Sequence, residues 1–382
     1  MIPYGRQDVT EEDIAAVVKV LQSDFLTQGI KVTEFEFSLS NYTRSKYAIT
    51  TNSGTSALHL SCLSLGLKKG DWLWTSPISF VASANCGLYC DAKVDFVDIN
   101  STTWNIDTNK LKSKLEIAKR NHKLPKIIVV VHLAGTSCDM ENFFQLSKEY
   151  GFLIIEDACH AIGGRYKNNI IGNCQYSDIT VFSFHPVKNI TTGEGGAALT
   201  NNHEIAKKIK LLRDHGIVRD TNKTNMPHWY YEQVELGFNY RMTDIQAALG
   251  ISQLNRLDDY VSKRNNIANI YNKRLSHLPL QLPYVNENYY SAMHLYIVRI
   301  KLNKVTKSHQ EIFDFLRSKN IGVNLHYIPI YRQPYYKAMG FNNNDFPESE
   351  SYYAEAISLP IFPILNKTDQ EYIIETLEYA LL

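Results

Sequence analysis

The chain has 382 residues, 44% of them hydrophobic, enough to bury a sizeable core in one large domain with a smaller one, or in two or three domain-sized units. Forty Lys and Arg against 39 Asp and Glu leave a formal charge of +1, which excludes a bulk electrostatic case for nucleic acid or an anionic membrane surface. Any anion has to be bound by a local site.

The opening, MIPYGRQDVTEED, is polar and acidic where a signal peptide needs an apolar core, and the longest apolar run, Ile127 to Val131, is far too short to span a bilayer. A cytoplasmic protein with no membrane partner is expected. Thr10-Glu-Glu-Asp13 is a helix-capping pattern, and Ile14, Val17, Val18 and Leu21 follow at helical spacing, predicting an amphipathic helix. Short apolar runs then alternate with helical stretches. Tyr47–Thr51, Val94–Ile99, Lys126–Leu133, Phe152–Glu156, Ile179–Phe184 and Ala197–Thr200 read as strands, and this alternation predicts an α/β fold with a mostly parallel sheet.

From Thr243 a long helical pattern carries Ile245, Ala248, Leu249, Leu254, Leu257 and Val261 on one face and leads into a smaller C-terminal unit. There Leu295–Leu302 reads as a strand, Gln310–Ser318 as a helix and Lys367–Leu382 as a closing helix. The six cysteines show no paired CxxC spacing, and neither Cys86 with Cys90 nor Cys159 with His160 offers enough ligands for a metal. No metal site is expected.

Four clusters carry chemistry. Thr51-Asn-Ser-Gly-Thr-Ser-Ala-Leu58 follows a strand and opens an apolar helix, an arrangement that aims free N–H groups and a positive helix end at a phosphate, although a turn that merely caps a helix has the same composition. Neither GxGxxG nor GxxxxGK[ST] occurs, so dinucleotide and P-loop readings lose their main support. Phe152-Leu-Ile-Ile-Glu-Asp-Ala-Cys-His160 places acids at the carboxyl end of a buried strand, where α/β sheets collect ligands. Asp157 there is either a helix cap or a carboxylate that keeps a pyridine nitrogen protonated.

Phe182-Ser-Phe-His-Pro-Val-Lys-Asn-Ile-Thr-Thr-Gly-Glu-Gly-Gly196 is the most specific cluster. Lys188 lies between an aromatic strand and a glycine-rich turn, a setting that desolvates an amine and makes the neutral nucleophile available, as a Schiff-base lysine requires. Ser183 is a phosphate donor or a residue that satisfies nearby backbone. In the last cluster, Trp229–Glu232 with Leu236–Asp244, Asn239 and Arg241 precede the long helix and either reach an anion or stabilise the loop.

Taken together, SGTSAL, EDACHA, FSFHPVKNITTGEGG and GFNYRMTDIQAALG resemble, in order and spacing, the DegT/DnrJ/EryC1/StrS family of sugar aminotransferases over nearly the whole chain. The resemblance implies the type I aspartate-aminotransferase fold, with a large domain over residues 1–245 that binds pyridoxal 5'-phosphate (PLP). Residues 246–382 would form the linking helix and small domain. It also implies a homodimer with shared active sites, and pyridoxamine 5'-phosphate as the intermediate cofactor form.

By matching motif, Lys188 is the expected cofactor lysine, Asp157 the partner of the pyridine nitrogen, Phe80 the residue stacked on the ring and His160 a neighbour of that ring. Thr55, Ser56 and Ser183 would hold the phosphate, and Asn239 would reach the phosphate across the dimer. Tyr4, Leu26, Thr27, Gln28, Gly29, Leu325, His326, Tyr327 and Ile328 would line the sugar-nucleotide pocket. Tyr331 stands where many relatives carry histidine, and with His326 it would set the pose of the sugar.

HPVKNITTGEGG, HGIVRD, WYYE and LGFNYRMTDIQAALGISQL further resemble the branch of the family that serves pseudaminic acid synthesis, which implies L-glutamate as amino donor and a UDP-linked 4-keto sugar as acceptor. Another nucleotide-linked 4-keto or 3-keto sugar is the alternative. A dehydratase branch replaces the cofactor lysine with histidine and is disfavoured by Lys188. A non-catalytic regulatory protein on the same fold is disfavoured by Lys188, Asp157 and the phosphate turn standing together.

Overall fold

In the strand Ile127–Val131 every side chain is buried. Ile127 and Val129 pack on one side and Ile128 and Val130 on the other, so this strand has to be covered by layers on both faces. The structure, a computed structural model, describes residues 1–219 and 227–382. Asp220, the last residue of the HGIVRD motif, lies outside the described residues.

The main sheet contains β1 (Tyr47–Thr51), β2 (Trp72–Thr75), β3 (Lys93–Phe96), β4 (Ile127–Val131), β5 (Leu153–Asp157), β6 (Ile179–Ser183) and β7 (Gly196–Thr200), in the order β1-β7-β6-β5-β4-β2-β3. Strand β7 runs antiparallel to both neighbours, and the remaining pairs are parallel. The expected α/β architecture with a mostly parallel sheet is therefore present. Strand β2, only four residues long, is the one the sequence did not announce.

The helices that matter here are α1 (Glu11–Leu21), α2 (Ile30–Thr43), α3 (Gly54–Ser64), α4 (Ala82–Leu88), α5 (Thr108–Arg120), α6 (Met140–Tyr150), α7 (His203–Arg213), α8 (Asp244–Leu254) and α9 (Leu257–Leu275). Side chains of α3, α4 and α7 join Ile155 and Val181 in one core, and those of α5 and α6 join Ile154 and Val130 in another. Asp157 follows Ile155 by two positions in β5, so period-2 alternation sends its side chain to the α3 and α4 face. That placement brings two of the sequence clusters together.

Beyond α8, a separate core gathers α9, the helices His309–Ser318 and Lys367–Leu381, and the strands Tyr296–Ile300 and Ala356–Leu359. The predicted strand and both predicted helices of this region are present within two residues of the expected limits. The long pattern from Thr243 is two helices, however. Arg256 leaves helical geometry at φ −107°, ψ 3°, and its guanidinium pairs with the buried carboxylate of Asp13 in α1 at 2.5 Å and with Tyr260 Oη at 2.9 Å. A tertiary ion pair thus breaks an apolar pattern that reads as continuous.

Helix α1 forms with the predicted capping box, Thr10 N donating to Asp13 Oδ2 at 3.0 Å. Its apolar stripe does not turn into the core of its own chain: Ile14 is 47% exposed and Leu21 54%.

Candidate active site

Strands β4, β5 and β6 end together, because Val131 pairs with Asp157 and Asp157 with Val181 in the ladder. At these carboxyl ends lies a cavity of about 740 Å³. Its wall includes the first turn of α3, Phe80, Asp157, His160, Ser183, Lys188, and the segment 324–327. This is the crevice position in which open α/β sheets bind ligands.

Ser53 caps α3, its Oγ accepting from Ser56 N at 3.1 Å, while Ser56 Oγ donates to Asn52 Oδ1 at 2.7 Å. Gly54, Thr55 and Ser56 form the first turn of the helix and line the cavity. A first turn carries N–H groups without intrahelical acceptors and the positive end of the helix dipole, both suited to an anion. Two glycines permit the close packing behind this turn. A Cβ on Gly196 would fall 2.5 Å from the Ser53 carbonyl oxygen, and one on Gly54 would fall 2.9 Å from Ser183 Cβ.

Lys188 reaches the cavity from the turn after β6, where its N–H closes on the His185 carbonyl at 2.9 Å. The residue is partly buried, and loss of hydration around the amine lowers its pKa; the nearby Cys159 and Asp157 act in the opposite direction. Asp157 is 6% exposed. Its Oδ2 accepts from Ser83 Oγ at 2.6 Å and its Oδ1 from Cys159 N at 3.2 Å.

The opposite wall is histidine-rich. His160 and His294 stand with ring centroids 4.5 Å apart, and burial followed by the positive charge of Lys188 or a neighbouring ring pushes both well below the ordinary histidine range. His326 is pushed down to about 3 by burial and then by Lys188. Its Nδ1 lies 2.8 Å from Ser358 Oγ, and Tyr4 packs on it with centroids 5.0 Å apart. The imidazoles beside Lys188 are held neutral, and burial moves its amine in the same direction, toward the uncharged form.

Residues 7–378 match the sequence model of the DegT/DnrJ/EryC1/StrS aminotransferase family. The chain belongs to this family. It is 38% identical over 378 residues to the UDP-4-amino-4,6-dideoxy-N-acetyl-beta-L-altrosamine transaminase of Campylobacter jejuni, an overlap of 99% of this chain and 96% of that one. Among solved structures it resembles Helicobacter pylori PseC, an aminotransferase involved in the biosynthesis of pseudoaminic acid, with TM-score 0.91 and 32% identity over 100% of this chain and 99% of that one. The putative sugar aminotransferase Spr1654 of Streptococcus pneumoniae, in its PMP form, superposes with TM-score 0.91 at 30% identity over 100% and 99%.

As a member of the DegT/DnrJ/EryC1/StrS family the protein is a PLP-dependent sugar aminotransferase. The cavity's chemistry fits that cofactor. It offers an amine held toward neutrality, a carboxylate for the ring nitrogen, and a helix N-terminus with Thr55, Ser56 and Ser183 for the phosphate. Phe80, 58% exposed, stands at the cavity with its ring 6.4 Å from that of Tyr327.

Of the residues expected in the sugar pocket, Tyr4, Leu325, His326 and Tyr327 line the cavity. Leu26, Thr27, Gln28 and Gly29 lie instead beside the start of α2, where Gly29 N donates to Asp244 Oδ2 at 2.7 Å. Ile328 is 44% exposed outside the lining, and Asn239 is also exposed, bridged to Asp214. Tyr331 is fully buried, stacked on Phe346 and donating to Glu350 at 2.6 Å, and so cannot touch a sugar in the cavity. Sequence reasoning missed Ser79, Ser83 and His294. Ser79 and Ser83 carry no spacing that marks a chemical role, and His294 enters from the segment before the strand Tyr296–Ile300, far along the chain.

Proposed function

We propose that the protein transfers an amino group from L-glutamate to C4 of a UDP-linked 4-keto-6-deoxy-N-acetylhexosamine, giving UDP-4-amino-4,6-dideoxy-N-acetyl-β-L-altrosamine on the route to pseudaminic acid. The observation that carries the reading is the convergence of a desolvated Lys188, Asp157 and the first turn of α3 on one cavity. The substrate is read from the similarity to the Campylobacter jejuni transaminase and to Helicobacter pylori PseC.

Bound PLP supplies an electron sink that makes the hydrogen on an amino-bearing carbon acidic. Lys188 would hold the cofactor through its Nζ, and the same atom would take the proton from the donor's α-carbon. Asp157 would face the ring nitrogen and keep it protonated. Thr55, Ser56 and Ser183 would anchor the phosphate, and Phe80 would stack on the ring. In the second half Lys188 delivers a proton to C4 of the sugar. Because it acts from one face only, a single C4 epimer is formed. His326 and Tyr327 orient the keto-sugar.

The functional unit in this reading is a homodimer in which Asn239 reaches the partner's phosphate site. Exposed apolar groups support it: Phe25 is 61% exposed, Ile30 64%, Phe37 67%, Trp229 78% and Leu236 80%, a set that favours cover by a second copy. We place the reaction in the cytoplasm. No helix among the described residues is long and apolar enough to cross a membrane.

The test is the forward reaction with L-glutamate and the L-arabino and D-xylo UDP-4-keto sugars, with product configuration read by NMR. The L-altro amino sugar from the L-arabino ketone is expected. Clear preference for the D-xylo sugar would retain the aminotransferase and overturn the pseudaminic acid assignment.

A further inference from the structure

Asp157 is held by a residue that none of the sequence clusters marks. Ser83, in α4, places its Oγ 2.6 Å from Asp157 Oδ2. A carboxylate only accepts, so the single hydroxyl proton of Ser83 is committed to Asp157. Ser79 Oγ lies 2.7 Å from Ser83 Oγ, and with Ser83's proton already spent this contact runs with Ser79 as donor. The direction Ser79 to Ser83 to Asp157 is therefore fixed by proton count alone.

Burial makes the chain consequential. Ser83 is 0% exposed, Ser79 4% and Asp157 6%. A buried serine inside a helix ordinarily returns its hydroxyl to a carbonyl one turn back. Ser61 in α3 does so, donating to Ala57 O at 2.6 Å. Ser83 instead crosses from α4 to β5. Phe80 stands just before α4, so the same crossing ties the segment bearing the expected ring-stacking residue to the strand bearing the carboxylate.

We propose that Ser79 and Ser83 form a directed hydroxyl relay that fixes the orientation of the Asp157 carboxylate, with Ser83 a positioning residue for the cofactor's ring nitrogen. The proposal rests on the reading that Asp157 faces that nitrogen. Hydrogen bonds donated to a carboxylate are among the stronger ones in proteins, so a buried donor fixes where its oxygens point.

The experiment uses the holoenzyme and the variants Ser83→Ala, Ser83→Cys, Ser79→Ala, the Ser79→Ala/Ser83→Ala double and Asp157→Asn. Three quantities are measured: the PLP Kd, the pH midpoint of the bound cofactor's absorbance, and the single-turnover rate with L-glutamate. Ser83→Ala is expected to slow the single turnover about tenfold, to weaken PLP binding and to shift the absorbance midpoint. Ser83→Cys, which refills the space with a weak donor, is expected to stay close to Ser83→Ala, separating the hydrogen bond from packing. Ser79→Ala has a smaller effect, and the double variant is no worse than Ser83→Ala because the relay is one unit. Unchanged midpoint and rate in both Ser83 variants, with Asp157→Asn crippled, overturn the relay alone. Additive losses in the double variant also overturn it. A near-normal Asp157→Asn overturns the reading beneath it.

Discussion

Tyr327 Oη lies 3.1 Å from Nε2 of His160. The backbone N–H of Ala134 is aimed at Nδ1 of that ring at 3.3 Å, so the neutral imidazole carries its proton on Nε2 and donates to Tyr327. The phenol proton of Tyr327 is then left for an oxygen in the cavity. Tyr327→Phe should lower kcat/KM for the keto-sugar about tenfold while the half-reaction with L-glutamate changes less. Equal losses in both half-reactions would place the role of Tyr327 on the cofactor instead.

Asp98 joins the end of the sheet to the helix Pro347–Glu355. Its carboxylate accepts from Lys110 Nζ at 2.8 Å, Ser349 Oγ at 2.6 Å, Ser349 N at 3.0 Å and Glu348 N at 3.1 Å. Burial pushes the carboxyl up, but these bonds outweigh it and hold it below the ordinary carboxylate range. A pKa depressed on folding contributes stability that is complete above the unfolded value, about 4, and is lost as pH falls through the folded value. Asp98→Asn is expected to cost about 3 kcal/mol at neutral pH. Denaturant titrations should show that deficit constant above pH about 4 and shrinking below it. A deficit that stays constant into acid would refute the ionic contribution.

Mixing Lys188→Ala chains with Asn239→Ala chains tests the shared site. In a mixed dimer one site carries both lesions and the other neither. Random exchange should therefore restore roughly a quarter of the wild-type activity from two inactive parents. No recovery after demonstrated subunit exchange would count against Asn239 acting across the interface.

The chemistry-bearing clusters were legible because each sits where a strand ends and a helix or glycine turn begins, a boundary that local composition marks strongly. EDACHA ends β5, SGTSAL opens α3, and the lysine turn follows β6. What stayed hidden depends on contacts distant in sequence. Ser83 looks like any small residue of a buried helix until β5 is laid beside it, and Tyr331 looks like its neighbours Leu325 to Ile328 until Phe346 covers it.

Strand β2, Trp72–Thr75, is too short for periodicity to register, and the break at Arg256 is set by Asp13 of α1. The stripe of α1 was read from its spacing as amphipathic. Spacing does not say whether the chain's own core or another surface receives such a stripe, and here Ile14 and Leu21 are left exposed.

The amino-transfer chemistry depends on Lys188 carrying the cofactor, and borohydride trapping measures that directly. Purified protein should absorb in the visible as a yellow species. Sodium borohydride should bleach it, and peptide mass mapping should then find the phosphopyridoxyl group on Lys188, while Lys188→Ala keeps its fold but neither traps PLP nor turns over. Phosphopyridoxyl label on a different lysine, or multiple turnover by Lys188→Ala, would contradict the account.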